Sequence, residues 1–235
     1  MTEPAKPAPR RAAKSGSKPN PVDPEVTDTK ASLPKSAPVV EAGPVAVHVE
    51  AGAIKVVVAP PGSKGLDRRL YGLINGLPHT ATSDRYVSVL SDLGEGLGWV
   101  ALGVGLAIYG GPKGRRAGAA TAVASLAATY VVQTRIKPIF QRVRPFVNRE
   151  ARVVGIRPAD HSFPSGHSAS SFAAATALSF FYPKAAPVAY GLATAVGVSR
   201  VHLGVHFPSD AAVGGVMGIG IGTFSAWVFK KRGGR

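Results

Sequence analysis

From about residue 96 the chain is a succession of apolar runs separated by short polar stretches. "GLGWVALGVGLAIYGG", "AGAATAVASLAATYVV", "HSASSFAAATALSFFY", "AAPVAYGLATAVGVS" and "AAVGGVMGIGIGTFSAWVF" follow one another. Each is about 15 to 19 residues, slightly short of the roughly 20 that cross a hydrocarbon core, so flanking residues must complete the spans. The polar stripe that marks a soluble amphipathic helix is barely present in any of them. Gly, Ala, Ser and Thr are dense, and such small residues let helices approach closely in lipid, where apolarity alone gives no drive for association. The pattern predicts an all-α, integral-membrane helical bundle of about five spans, multi-pass in the cell membrane.

Upstream, "GLDRRLYGLINGL" (65–77) and "TSDRYVSVLSDLG" (82–94) carry apolar residues at helical spacing with charges between them. Both are too short and too charged to span, which predicts helices lying at the membrane interface. Thr82 or Ser83 is the expected cap of the second, with Asp84 favourable in its first turn. The polar pattern before residue 63 is different in kind. Proline, lysine, serine and alanine dominate, with too little apolar content to offset ordering, so residues 1–63 are read as a disordered tail and 64–235 as the membrane domain. Within the tail, valines alternate through 44–60 around Ala51-Gly52, the pattern of a short hairpin. The tail is expected to carry no secretory signal.

Charge sharpens this division. The chain holds 28 Lys and Arg against 13 Asp and Glu, a formal net charge of +15, and no cysteine. The basic tail lacks interleaved aromatic residues, which argues against nucleic-acid binding, while weak attraction to anionic headgroups fits. The absence of cysteine leaves the redox compartment unassigned.

Three polar clusters are not explained as membrane structure. "KPIFQRVRP" holds Lys137 and Arg144. "FPSGHS" places Pro164, Ser165 and Gly166 ahead of a helix that starts near His167, and a helix start offers free N–H groups and the positive end of its dipole to an anion. "SRVHLGVHFPSD" supplies Arg200, His206 and Asp210. With five spans, all three clusters fall on one face of the membrane. Lys137, Arg144 and Arg200 then repel one another unless an anion of about two charges sits among them, and phosphate fits that requirement. Two imidazoles and a carboxylate beside a phosphate ester suggest nucleophilic attack by one imidazole and protonation of the departing alkoxide by the other, without a metal or cofactor.

The four-residue spacing of His202, His206 and Asp210 would form a metal-like face only on an unbroken helix. Pro208 argues against that helix, because it lacks an N–H and disfavours helical geometry at Phe207. His206 and Asp210 are therefore expected to meet across a bend, with Ser209 capping the next helix. His202 is left as a packing or interfacial residue, and His79 as a surface one. Asp160 and His161, just ahead of "FPSGH", are candidates to touch a headgroup, and Asp92 and Glu95 to line an entrance.

These spacings resemble the type 2 phosphatidic acid phosphatase family. Its three motifs are Lys, six residues, Arg-Pro; then Pro-Ser-Gly-His; then Ser-Arg, five residues, His, three residues, Asp. Here they read Lys137 to Arg144-Pro145, Pro164 to His167, and Ser199-Arg200 to His206 to Asp210. The resemblance covers roughly residues 66 to 229. It implies that His206 is a nucleophile forming a phosphohistidine, that Asp210 orients it, and that His167 is the general acid. Lys137, Arg144, Ser165, Gly166 and Arg200 would hold the phosphoryl oxygens. It further implies a phosphate monoester or diphosphate substrate on a polyprenyl-linked or glycerolipid carrier, in cell-envelope lipid or arabinan precursor metabolism. Membrane members of the family commonly have six spans, and here the segments at 65–94 take the place of the first. A phosphotransferase of the same fold stays open as an alternative, followed by a vanadate haloperoxidase and a non-enzymatic binder of anionic lipid.

Overall fold

The structure is a computed structural model in which residues 45–50, 53–58, 65–148 and 152–231 are described. The expected tail lies outside them except for two strands. These are β1 (Val45–Glu50) and β2 (Ala53–Val58), paired antiparallel from Val45 opposite Val58 to Glu50 opposite Ala53.

Among the described residues, the regular elements from Leu66 onward are helical, and seven of them are α-helices. They are α1 (Leu66–Asn75), α2 (Ala81–Leu93), α3 (Leu97–Tyr109), α4 (Gly111–Val131), α5 (Gly166–Phe181), α6 (Ala186–His202) and α7 (Pro208–Lys231). The five apolar runs of the sequence correspond to α3 through α7. Their lengths differ more than their compositions do. At a 1.5 Å rise the 16 residues of α5 reach about 24 Å, short of a roughly 30 Å hydrocarbon core, whereas the 24 residues of α7 reach about 36 Å. Among the described residues α7 alone is a helix long and apolar enough to span by itself. A second such span exists if α2 and α3, bent by 57° at their junction, are taken together.

Two caps differ from the sequence expectation. Thr80, not Thr82 or Ser83, caps α2: its hydroxyl accepts from the Ser83 N–H while the Ser83 hydroxyl accepts from the Thr80 N–H, a reciprocal box that starts the helix earlier. Asp84 sits in the first turn as expected. Ser209 does not cap α7, because Pro208 already occupies the first helical position, where a missing N–H is harmless. Asp210 takes the reciprocal role instead, its Oδ2 accepting from the Phe207 N–H at 2.8 Å.

The interior is made of small residues. Ala120, Ala124 and Ala128 on α4 and Val132 just after it recur every four positions and meet Ala169, Ala173 and Ala177 on α5 and Ala226 on α7. Contact is close enough that a Cβ at Gly218 of α7 would lie 2.3 Å from the Ala169 carbonyl oxygen, so only glycine fits there. Several polar side chains in this interior pair with one another: Ser125 with Ser170 at 3.0 Å, and Trp99 Nε1 donating to Ser171 Oγ at 3.1 Å. Many of the bulky apolar side chains point the other way. Leu102, Ile108, Leu126, Val188, Leu192, Val216, Phe224 and Trp227 are all exposed.

Candidate active site

A cavity of about 520 Å³ opens beside the N-terminus of α5 and collects residues from every polar cluster of the sequence. Lys137, Arg144, Gly166, His167, Arg200 and His206 all line it. Lys137 arrives there because α4 ends in a widened turn, Val132–Ile136, closed by a bond from the Lys137 N–H to the Val132 carbonyl at 2.9 Å. Gly166 and His167 are the first residues of α5, which brings the helix N-terminus to the cavity wall. Arg200 lies in the last turn of α6, where its Nη1 donates to Ser91 Oγ at 2.7 Å. His206 lies beyond that helix. The chain leaves α6 through Gly204 at φ +78°, where a Cβ would come within 2.4 Å of the Arg152 carbonyl oxygen. His202 and His206 are therefore not on one helix.

Two expected residues sit behind the wall rather than on it. Ser165 is buried and caps α5, its hydroxyl accepting from the Ser168 N–H, while its own N–H donates to the Asp210 carbonyl at 3.0 Å. Asp210 is fully buried. Its Oδ2 lies 3.6 Å from His206 Nδ1, and the opposite ring nitrogen, Nε2, lies 3.4 Å from Arg144 Nη1 at the cavity. Burial pushes the His206 imidazole down to about 4, against the opposing pull of Asp210 and with added repulsion from Arg144 and Arg200.

The cations of the site already hold a carboxylate. Asp160 bridges them, its Oδ2 accepting from Lys137 Nζ and its Oδ1 from Arg144 Nη2 at 2.5 Å. Burial alone would raise Asp160, but Lys137 and then Arg144 hold it down at about 2. Burial pulls Lys137 below its usual range; Asp160 opposes this, and Arg144 and Arg200 add repulsion. Arg144 is fixed further by bonds from Nε to the Asp160 carbonyl at 2.8 Å and from Nη1 to the Val205 carbonyl at 2.7 Å. His161 contributes only its carbonyl to Arg144, at 3.3 Å. Asp92 and Glu95 line the same cavity, and Glu95 Oε2 stands 3.7 Å from His167 Nε2.

Arg142 escaped the sequence reading. It is 3% exposed and donates to Asp210 Oδ1 at 2.6 Å, Ser209 Oγ at 2.7 Å and Asp67 Oδ2 at 2.8 Å, with its guanidinium 4.1 Å from the Phe207 ring centroid. Ser162 donates to the other Asp210 oxygen. A signal for Arg142 exists in "RVR", a stretch outside the helices where the two arginines turn inward while Val143 is exposed, the reverse of the usual apolar-inward alternation. Asp67 carries no such signal.

Comparison with known proteins points one way. Residues 118–233 match the PAP2 superfamily. The chain is 36% identical over 139 residues to decaprenylphosphoryl-5-phosphoribose phosphatase of Mycobacterium tuberculosis, covering 57% of this chain and 73% of that protein. It is 31% identical over 168 residues to undecaprenyl-diphosphatase of Sulfolobus acidocaldarius, covering 70% of this chain and 79% of that one. Among solved structures it is similar to LpxE of Aquifex aeolicus, with a TM-score of 0.54 and 26% identity over 69% of this chain and 96% of that one.

Proposed function

The chain belongs to the PAP2 superfamily and is a phosphatase, and on that premise we propose that it hydrolyses a phosphate monoester or diphosphate carried on a polyprenyl-linked or glycerolipid chain. The observation that carries this reading is the single cavity where His206 and His167 face Lys137, Arg144 and Arg200. Lipid-borne substrates agree with the names of the relatives, a phosphatase of decaprenylphosphoryl-5-phosphoribose and an undecaprenyl-diphosphatase. A multi-pass position in the membrane agrees with the inverted packing, small residues inside and bulky apolar ones outside, on α3, α4, α6 and α7.

The proposed reaction follows from the placement of the ring nitrogens. Lys137, Arg144 and Arg200, with the N-terminus of α5 at Gly166, take the phosphoryl oxygens, and the incoming phosphate displaces the Asp160 carboxylate from its two cations. Ser165 serves by capping that helix. The His206 Nε2 lone pair forms the N–P bond as the P–O bond to the leaving group breaks. The proton stays on His206 Nδ1, where Asp210 balances the positive charge that develops on the ring. His167 gives its proton to the departing oxygen; the bound phosphate dianion supplies the counter-charge that keeps that proton in place beforehand. Water then gives a proton back to His167 and attacks phosphorus, breaking the N–P bond and restoring the site. No step uses a metal or cofactor.

The test is release of inorganic phosphate from a panel of polyprenyl and glycerolipid phosphates by the purified chain in detergent. His206→Ala is expected to remove release while preserving the melting profile. Full activity in that variant overturns the mechanism, and no release from any lipid phosphate overturns the substrate class.

A further inference from the structure

Outside the cavity, where α1 turns into α2, two imidazoles and a carboxylate converge on the end of α6. His79 Nδ1 lies 2.7 Å from Asp84 Oδ1, and His202 Nε2 lies 3.5 Å from the same oxygen. One ligand atom from each residue falls within 4.8 Å of the others. The rings of His79 and His202 stack with centroids 4.2 Å apart. The far nitrogen of each ring faces a backbone carbonyl: His79 Nε2 is 3.0 Å from the Asn75 oxygen, and His202 Nδ1 is 3.3 Å from the Ile74 oxygen. A carbonyl only accepts, so both far nitrogens carry the proton. In the neutral rings both near nitrogens then present lone pairs to one another and to a carboxylate, with no hydrogen among them.

His202 Nε2 is the strongest sign that something else belongs there. The residue is 7% exposed, and this nitrogen makes no hydrogen bond although it aims into the cluster. The surroundings favour a cation. The last carbonyls of α1, at Ile74 and Asn75, face the two rings, His202 is the last residue of α6, and a helix C-terminus carries partial negative charge. A backbone carbonyl behind each ring is also how protein-bound metals fix the tautomer of their histidine ligands.

We propose that His79, Asp84 and His202 bind one divalent transition-metal ion, zinc by the nature of the ligands, with water in the fourth position. Ligand atoms on a tetrahedral zinc stand roughly 3.3 Å apart; the 2.7 and 3.5 Å to Asp84 are within an ångström of that, and the two ring nitrogens lie within 4.8 Å of each other. Sharing one ion requires the two stacked rings to splay apart. None of the three residues lines the catalytic cavity. The ion acts as a clamp: it fastens the start of α2 to the end of α6. The same two helices supply Ser91 and Arg200, whose bond holds a phosphate-facing cation in place.

The full chain, purified in detergent, stripped by chelator and reloaded with zinc alone, tests this. After desalting, about one zinc per chain is expected to remain, and zinc should raise the melting temperature of the stripped protein. His79→Asn should lose the ion, and so should Asp84→Asn, whereas His206→Asn should keep it. Should either cluster variant fail to fold, cobalt loaded into the wild-type chain gives the readout, an intense visible absorption of a four-coordinate ion. No zinc uptake by the wild type, retention by both cluster variants, loss in His206→Asn, or a weak six-coordinate cobalt spectrum each overturns the proposal.

Discussion

Arg142→Met removes a charge while keeping most of the side-chain volume, and it isolates the network behind His206. Arg142 bonds the Asp210 and Asp67 carboxylates at 2.6 and 2.8 Å, and Asp210 is 0% exposed. Each hydrogen bond to a charged partner contributes about 1.5–3 kcal/mol, and breaking a buried ion pair from one side costs about 3–5 kcal/mol because a charge is left uncompensated. Asp67 keeps bonds from the Ser209 N–H and hydroxyl, so its loss is partial and the expected destabilisation stays at about 3–5 kcal/mol. For a domain of this size that is roughly a 10 °C fall in melting temperature, readable by intrinsic fluorescence in detergent. A second readout separates positioning from mere stability. With its strongest cation gone, Asp210 acts more fully on His206 and raises it, so the acid limb of the phosphate-release profile moves to higher pH. Arg142→Lys should recover part of both effects. A melting temperature within about 3 °C of wild type, with an unmoved acid limb, refutes the reasoning.

Other outcomes follow from single contacts. His206 is buried and held at about 4, so its neutral, attacking form persists down to that pH and phosphate release should fall only below it. The same shift affects stability with a definite sign: the unfolded histidine takes a proton near 6.5, the folded one near 4, so about 3 kcal/mol is lost as pH falls from 6.5 to 4, and His206→Asn should flatten that slope in thermal melts. Asp160→Asn frees Lys137 and Arg144 from their internal carboxylate, so inorganic phosphate should inhibit roughly tenfold more tightly; unchanged or weaker inhibition contradicts the bridging role. Gly218→Val forces α7 away from α5 and should cost about 1–3 kcal/mol, while the same change at Gly220, which has open space around it, should be nearly silent in melts.

The legible part of the fold is the part coded by local chemistry. Five apolar runs became α3 to α7, and Pro208 opens α7 as a new helix instead of continuing α6. Small residues foretold close packing, borne out at Gly218 against Ala169. The polar clusters did gather in one cavity, because each lies at a helix end and those ends share a side of the bundle. What stayed hidden depends on distant pairing. Asp67 meets Arg142 across 75 residues, and His79, which reads as a surface residue, stacks on His202 with its side chain only 3% exposed. Asp160 was a candidate for touching a headgroup; its grip on Lys137 and Arg144 depends on the fold of the loop before α5. The helix starts at Ala81 and Pro208 were missed for a smaller reason, since the bonds from the Thr80 N–H to Ser83 and from the Phe207 N–H to Asp210 place each start upstream of the obvious cap.

The most direct test of the central claim is to trap the covalent intermediate. The purified chain is mixed with a radiolabelled polyprenyl phosphate, quenched within milliseconds, and the protein-bound label is followed through acid and base. The account predicts label on His206 that survives base and is released by acid, as a phosphorus–nitrogen bond is, with none bound in His206→Ala. Turnover to inorganic phosphate with no labelled protein at any time, or label undiminished in His206→Ala, would contradict it.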